Sequence, residues 1–155
     1  HKAYPTEITE DDLMLVYFYD DYDWEQLGCH QFQGGHSLCG GRIWSARGMM
    51  TGMKECQVGS GLSIGGKWYT TTIYYDSEGR VRQKISDMSI DGQEVQSFLY
   101  NENGDVVQSR TRQQLSSRYP ATVLSYDRFY KYNPAGMLHR IEQEIAGDDK
   151  NGSWL

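Results

Sequence analysis

One short pattern recurs three times in the second half of the chain: YDSEGRV at 75–81, YNENGDV at 100–106 and YNPAGML at 132–138. Each copy reads Tyr, Asp or Asn, two free positions, Gly, one free position, then Val or Leu. Asp and Asn favour the first position of a type I turn and Pro the second, where Pro134 stands. A glycine at the fourth position can take positive φ and close a three-residue hairpin loop with a G1 bulge. The structural turn residues are therefore Asp76, Gly79, Asn101, Gly104, Asn133, Pro134 and Gly136. This geometry also dictates pairing. Asp76 should face Arg80, Tyr75 should face Val81, Tyr100 should face Val106 and Tyr132 should face Leu138. Tyrosine opposite a branched aliphatic contributes roughly 0.2–1 kcal/mol, so the motif carries its own register lock. A further turn is expected at Asp91-Gly92, a pair suited to a two-residue type I′ loop.

The runs flanking these turns, KWYTTTIYY, RVRQKISDMSI, QEVQSFLY, DVVQSRTRQ, ATVLSYDRFYKY and MLHRIEQEI, read as strands. The fold class is mainly β: an antiparallel meander of about six strands, as an open curved sheet or a partly closed barrel. Polar residues alternate along most strands, which predicts one solvated face. In the 81–90 run, Val81 and Ile85 fall on one face and Arg82, Lys84 and Ser86 on the other. With 155 residues the chain suits a single domain, 1–155, with a core needing no metal or staple. Its parts are an acidic, then glycine- and cysteine-rich segment (1–66), the meander (67–146) and a tail (147–155) that reads as disordered.

The turn copies resemble the tyrosine-aspartate repeat of RHS-type proteins, and YYDSEGRV is the nearest copy. DGQEVQSFLYNENGDVV is also similar to the MORN-like repeats of some bacterial antitoxin proteins. The resemblance runs from Tyr74 to about Ile145, with copies spaced 25 and then 32 residues apart rather than evenly. It implies a strand-turn-strand unit, a bacterial origin and a scaffolding or binding role. It transfers no catalytic residue.

The first half is different in character. Residues 1–66 carry nine acids and four bases, and eight acids with no base lie between Glu7 and Glu25. Such a segment repels phosphate, so no nucleic-acid partner is expected. No apolar run approaches the ~20 residues of a transmembrane helix. The chain starts at His1 rather than Met, so either a leader was removed or the chain was trimmed; the expectation is a removed signal peptide, and hence a secreted or periplasmic, cell-envelope location. Thr9 and Asp12 imitate a capping box for a short helix. LMLVYFY reads as a buried strand, and DDYDWE as a solvated acidic turn without the ligand spacing of a calcium loop. Residues 28–66 hold eleven of the seventeen glycines and all three cysteines, and are expected as loops and short strands folded onto the meander. Trp44 in this segment, and Trp68 and Tyr69 at the start of the meander, are candidate binding residues, the alternative being that both tryptophans pack in the core.

GCHQFQGGHSLCGG at 28–41 places Cys29, His30, His36 and Cys39 close together. The adjacency of Cys29 and His30 departs from zinc-knuckle spacing, so no metal is assigned. A Cys29–Cys39 disulfide would stabilise by roughly 2–3 kcal/mol, with Cys56 a competing partner and reduced, buried cysteines the alternative. A Cys-His nucleophile would need a third, orienting group. GLSIG at 61–65 matches a nucleophile-elbow pattern around Ser63, with Asp127 and His139 in triad order, but antiparallel strands follow instead of helical crossovers. The expected function is a non-enzymatic, secreted or envelope-associated bacterial protein without a cofactor that binds a protein or glycan surface. An immunity or antitoxin-like partner of a basic toxin is the alternative. A small hydrolase using Ser63 or Cys29 comes third.

Overall fold

The computed structural model describes residues 14–24, 30–33, 46–57, 67–89, 91–115 and 123–146. Its strands are β1 (Leu15–Asp20), β2 (Ala46–Gln57), β3 (Lys67–Tyr75), β4 (Val81–Met88), β5 (Gly92–Tyr100), β6 (Val106–Leu115), β7 (Val123–Tyr132) and β8 (Leu138–Ala146). They form one antiparallel sheet in chain order. It is an open meander and not a barrel: β1 and β8 are its outer strands. The six expected strands are β3 to β8, each within two residues of its expected bounds. The count rises to eight because the first half adds β1 and the twelve-residue β2, which runs through the glycine-rich stretch.

The three turns have the expected geometry. Gly79, Gly104 and Gly136 take φ of 76°, 87° and 76°. The motif pairs Tyr75↔Val81, Tyr100↔Val106 and Tyr132↔Leu138 all form. The Asx residue is needed because its side chain closes the loop. Asp76 Oδ1 accepts the N–H groups of Glu78 and Arg80, both at 2.9 Å. Asn101 does the same for Asn103 and Asp105, and Asn133 for Ala135 and Met137. In each copy the register then slips by one, leaving Arg82, Val107 or His139 as the extra, bulged residue.

A fourth copy is split by an insertion. Tyr19 pairs with Met50, and the register slips between Phe18 and Tyr19 so that Thr51 is the bulged residue. Gly48 takes φ of 77°, and its N–H donates to Asp20 Oδ1 at 2.6 Å. Tyr19-Asp20 and Gly48-Met49-Met50 thus fill the motif positions, with residues 21–47 in place of the two free positions. Successive copies are locked together by tyrosine. The hydroxyl of Tyr75 donates to the Met50 carbonyl (2.7 Å), Tyr100 to Val81 (2.7 Å) and Tyr132 to Val106 (2.9 Å). Each motif tyrosine therefore reaches the aliphatic position of the preceding copy, which a phenylalanine could not do. Burial pushes all three phenols above the ordinary tyrosine range, and the carboxylates of Asp76 near Tyr100 and Asp105 near Tyr132 push the same way.

Three local expectations are corrected. The β4–β5 connection is a three-residue loop, 89–91, because Met88 pairs with Gly92 and Asp91 holds the positive φ (53°). Gly92 lies in the sheet, where a Cβ would collide with the backbone of Gln114. Arg82 is buried rather than solvated, since the bulge turns its guanidinium to the Phe98 carbonyl (2.9 Å). The LMLVYFY strand is an outer one, not a buried one: Tyr17 and Tyr19 are 49% and 53% exposed.

One face of the sheet is covered over its first half. Alternation puts Thr70, Thr72 and Tyr74 of β3, Gln83 and Ile85 of β4, and Val95 and Ser97 of β5 on this face, all buried. The inserted connection covers it. Trp24 stacks on Phe18 (centroids 4.6 Å apart) and lies over Gly52, where any side chain would strike its indole. Tyr22 stacks on Tyr74 at 4.9 Å, and Phe32 meets the same ring edge-on at 5.4 Å. The Gln83 amide completes the cover by imitating a strand partner. It accepts the Gln33 N–H (2.9 Å) and donates to the Gln33 carbonyl (3.3 Å) and to Ser97 Oγ (3.0 Å).

Candidate functional site

His30 is the only ligand-type residue of the 28–41 stretch among the described residues; Cys29, His36 and Cys39 lie outside them, as do Trp44 and Ser63. It is fully buried. Its Nδ1 lies 3.1 Å from Thr72 Oγ1, its Nε2 lies 2.9 Å from Asp87 Oδ1, and its carbonyl accepts the Tyr74 hydroxyl at 2.6 Å. Hydroxyl, imidazole and carboxylate stand in the order of a nucleophile, base and orienting acid. Thr72 and His30 are wholly enclosed, however, so no substrate carbonyl can reach the hydroxyl. Both ring nitrogens are engaged, so in this arrangement His30 is a polar staple of the connection and not a metal ligand or base. Cys56, on β2, is a free thiol. Asp127 is held by a two-pronged ion pair with Arg110 (both contacts 2.7 Å), and His139 is exposed on the outer strand. Neither is arranged as a triad member.

The carboxylate of Asp87 connects the covered face to a surface cleft. The β3–β4 ladder runs only to Thr71↔Ser86. One residue further, Asp87 Oδ2 takes the Thr70 N–H (2.8 Å), so a side chain replaces the strand partner and the strands part. Burial raises the Asp87 pKa, but hydrogen bonds from His30 and the Thr70 N–H outweigh it and hold the group below the ordinary carboxylate range. Asp87 is thus a fixed anion at the seam.

The cleft, of about 350 Å³, opens beside that seam between β2, β3 and the end of β4. Met53, Glu55 and Gln57 of β2 form one wall, Tyr69 and Thr71 of β3 form the floor, and Asp87 and Ser89 close the far side. The Tyr69 hydroxyl donates to Gln57 Oε1 (2.9 Å), and Thr71 Oγ1 to Ser86 Oγ (3.1 Å). Lys67 carries its ammonium 5.3 Å from the Tyr69 ring centre while pairing with Asp91, which raises its pKa chiefly through that hydrogen bond. The lining therefore offers carboxylate, amide and hydroxyl groups around one aromatic ring and one thioether.

Of the expected binding residues, Tyr69 lines this cleft. Trp68 is half-buried, and alternation turns it to the other face. Glu55, Gln57, Asp87 and Ser89 were not singled out from the sequence. Only the alternation that sends Glu55, Gln57, Tyr69 and Thr71 to one face hints at them. Comparisons with known protein families, curated proteins and solved structures find no match.

Proposed function

We propose that this is a non-enzymatic, secreted or envelope-associated bacterial binding protein that takes a glycan in the cleft beside Tyr69. The observation carrying the reading is the lining itself. Two carboxylates, an amide and two hydroxyls surround a single aromatic ring, a set that can accept and donate hydrogen bonds to a polyhydroxylated ligand while the ring supplies apolar contact. The likeness of the turns to tyrosine-aspartate repeats, as a scaffold without catalytic residues of its own, supports the same reading. So does the enclosure of Thr72 and His30, which leaves their hydroxyl–imidazole–carboxylate series without access to a substrate.

The test is a glycan array followed by titration of any binder against three variants. Tyr69→Ala and Glu55→Gln should each weaken binding about tenfold, near 1.4 kcal/mol, whereas Trp68→Ala on the other face should leave it within about twofold. An array without a binder, or a binder lost equally on Trp68→Ala, would sink the proposal. A peptide library run in parallel identifies a protein segment as the occupant instead.

A further inference from the structure

The tyrosine ladder joins each copy of the turn to the next, and it stops at both ends of the sheet. Met50, Val81 and Val106 each give their carbonyl to the motif tyrosine of the following copy. Leu138 occupies the same motif position on β8, and among the described residues no strand lies beyond β8. At the other end Tyr19 is the motif tyrosine of the split copy. It lies on outer strand β1, and its hydroxyl makes no hydrogen bond among the described residues. The chain thus presents an acceptor position without its donor on one edge and the matching donor on the other. We infer that β1 of a second copy of this chain pairs with β8, head to tail, with Tyr19 of that copy donating to the Leu138 carbonyl.

The register of such a junction follows from the internal ones. Carried three residues past their last pairs, Gly52↔Thr72, Gln83↔Ser97 and Gln108↔Phe129, the three internal registers set the motif tyrosine opposite the residue just before the aliphatic position: Tyr75 opposite Met49, Tyr100 opposite Arg80 and Tyr132 opposite Asp105. Applied to β8, this rule sets Tyr19 of the second copy opposite Met137. Continuing antiparallel, Leu15 of the second copy falls opposite Ile141. Leu15 and Ile141 are 42% and 53% exposed and would cover each other on one face. The five residues from Leu15 to Tyr19 carry no charge, so nothing on β1 opposes Arg140 or Glu142 of β8. Because the two edges differ, the contact is heterologous and does not close on itself as a two-fold dimer. It goes beyond the proposed binding role and does not depend on it.

Sedimentation velocity of the full chain across a concentration series tests this. The expected result is a mass that climbs with concentration without stopping at the dimer. Leu15→Lys and Ile141→Lys should each leave monomers alone, since each blocks one edge. Their equimolar mixture should give dimers and nothing larger, through the one intact junction. Tyr19→Phe, the mildest change, should weaken association about fivefold. Monomers at every concentration would overturn the inference. So would a dimer indifferent to either lysine, which would indicate a symmetric edge contact, or a monomer with β8 amides protected from hydrogen exchange, which would place another strand on that edge.

Discussion

The β3–β4 turn and the β1–β2 turn share a bulged tyrosine pair and a positive-φ glycine at two loop lengths. They differ at the Asp: Asp20 itself takes a φ of 76° and its carboxylate meets the glycine N–H, where Asp76 meets the N–H one residue later. In the first, Asp76 reaches amides two and four residues away; in the second, Asp20 reaches Gly48 across 28 positions. Both give the same Tyr-to-aliphatic pair, the same positive-φ glycine and the same bulge. Lengthening the loop from two free positions to the 27 residues 21–47 adds roughly 2–3 kcal/mol of closure entropy, because that cost grows only as the logarithm of length. The inserted connection offsets it by covering one face with Tyr22, Trp24, His30 and Phe32. The short turns depend on local hydrogen bonds; the long one depends on packing and on buried polar contacts far away in sequence.

That contrast is broken most severely at His30. His30→Ala removes two hydrogen bonds to the sheet, taking the partner from buried Thr72 Oγ1 and from Asp87 Oδ1 while Asp87 Oδ2 keeps the Thr70 N–H, so it should cost about 3 kcal/mol in urea unfolding. The β6–β8 hairpins touch none of these groups, so their amide protection should fall less than that of β2 and β3. A loss below about 1 kcal/mol would show that the connection does not hold the covered face. Gly52→Ala comes next. Its Cβ would run into the Trp24 indole, at an expected cost of about 2 kcal/mol, whereas Gly48→Ala meets no atom and should cost about 1 kcal/mol through its positive φ alone.

The two regions were unequally legible in the sequence for the same reason. Each short turn holds all its determinants within seven residues, so Asp76, Gly79, Asn101, Gly104, Asn133 and Gly136 and the strand pairs around them could be read directly. The split turn keeps the same residue types, but Tyr19-Asp20 and Gly48-Met49-Met50 look unrelated when 27 residues intervene. β2 was obscured because Gly48 and Gly52 read as loop residues. One is there for its φ and the other for the indole above it, neither visible without the partner. In the cleft, Tyr69 was legible as an aromatic on a strand. Asp87 was not, because its role arises where two strands part and His30 arrives from 57 residues away.

The tyrosine ladder sharpens the comparison at smaller amplitude. Tyr100→Phe and Tyr132→Phe should each cost about 1 kcal/mol, the usual net worth of a hydrogen bond whose acceptor is left half-buried. Tyr19→Phe, whose hydroxyl has no partner among the described residues, should cost nothing measurable in the monomer. No loss at Tyr100 or Tyr132 would mean that ring packing, and not the hydroxyl, joins the copies.

The pH dependence separates the tyrosine ladder from the hydrogen-bonded carboxylates with the smallest effects, because these groups move in opposite directions. Asp87 at the covered seam and Asp76 in the first short turn are both held below the ordinary carboxylate range; burial opposes this, and the hydrogen bonds each accepts prevail. Their contribution is present above the unfolded pKa of about 3.9 and is lost as pH falls through the folded values. The phenols of Tyr75, Tyr100 and Tyr132 are raised by burial, so their contribution is complete below the unfolded pKa of about 10 and is lost as pH rises through the folded values. Lys67 is also raised, through Asp91, and would lose stability in the same alkaline window, so Lys67→Met serves as the background. Urea midpoints measured from pH ~3 to ~11 should fall at both ends. In Tyr100→Phe/Tyr132→Phe the alkaline fall should flatten while the acid one stays. In His30→Ala the acid fall should flatten in part, since Asp76 keeps its own hydrogen bonds, while the alkaline one stays. If either variant flattened both limbs, the ladder and the inserted connection would be one cooperative unit rather than two.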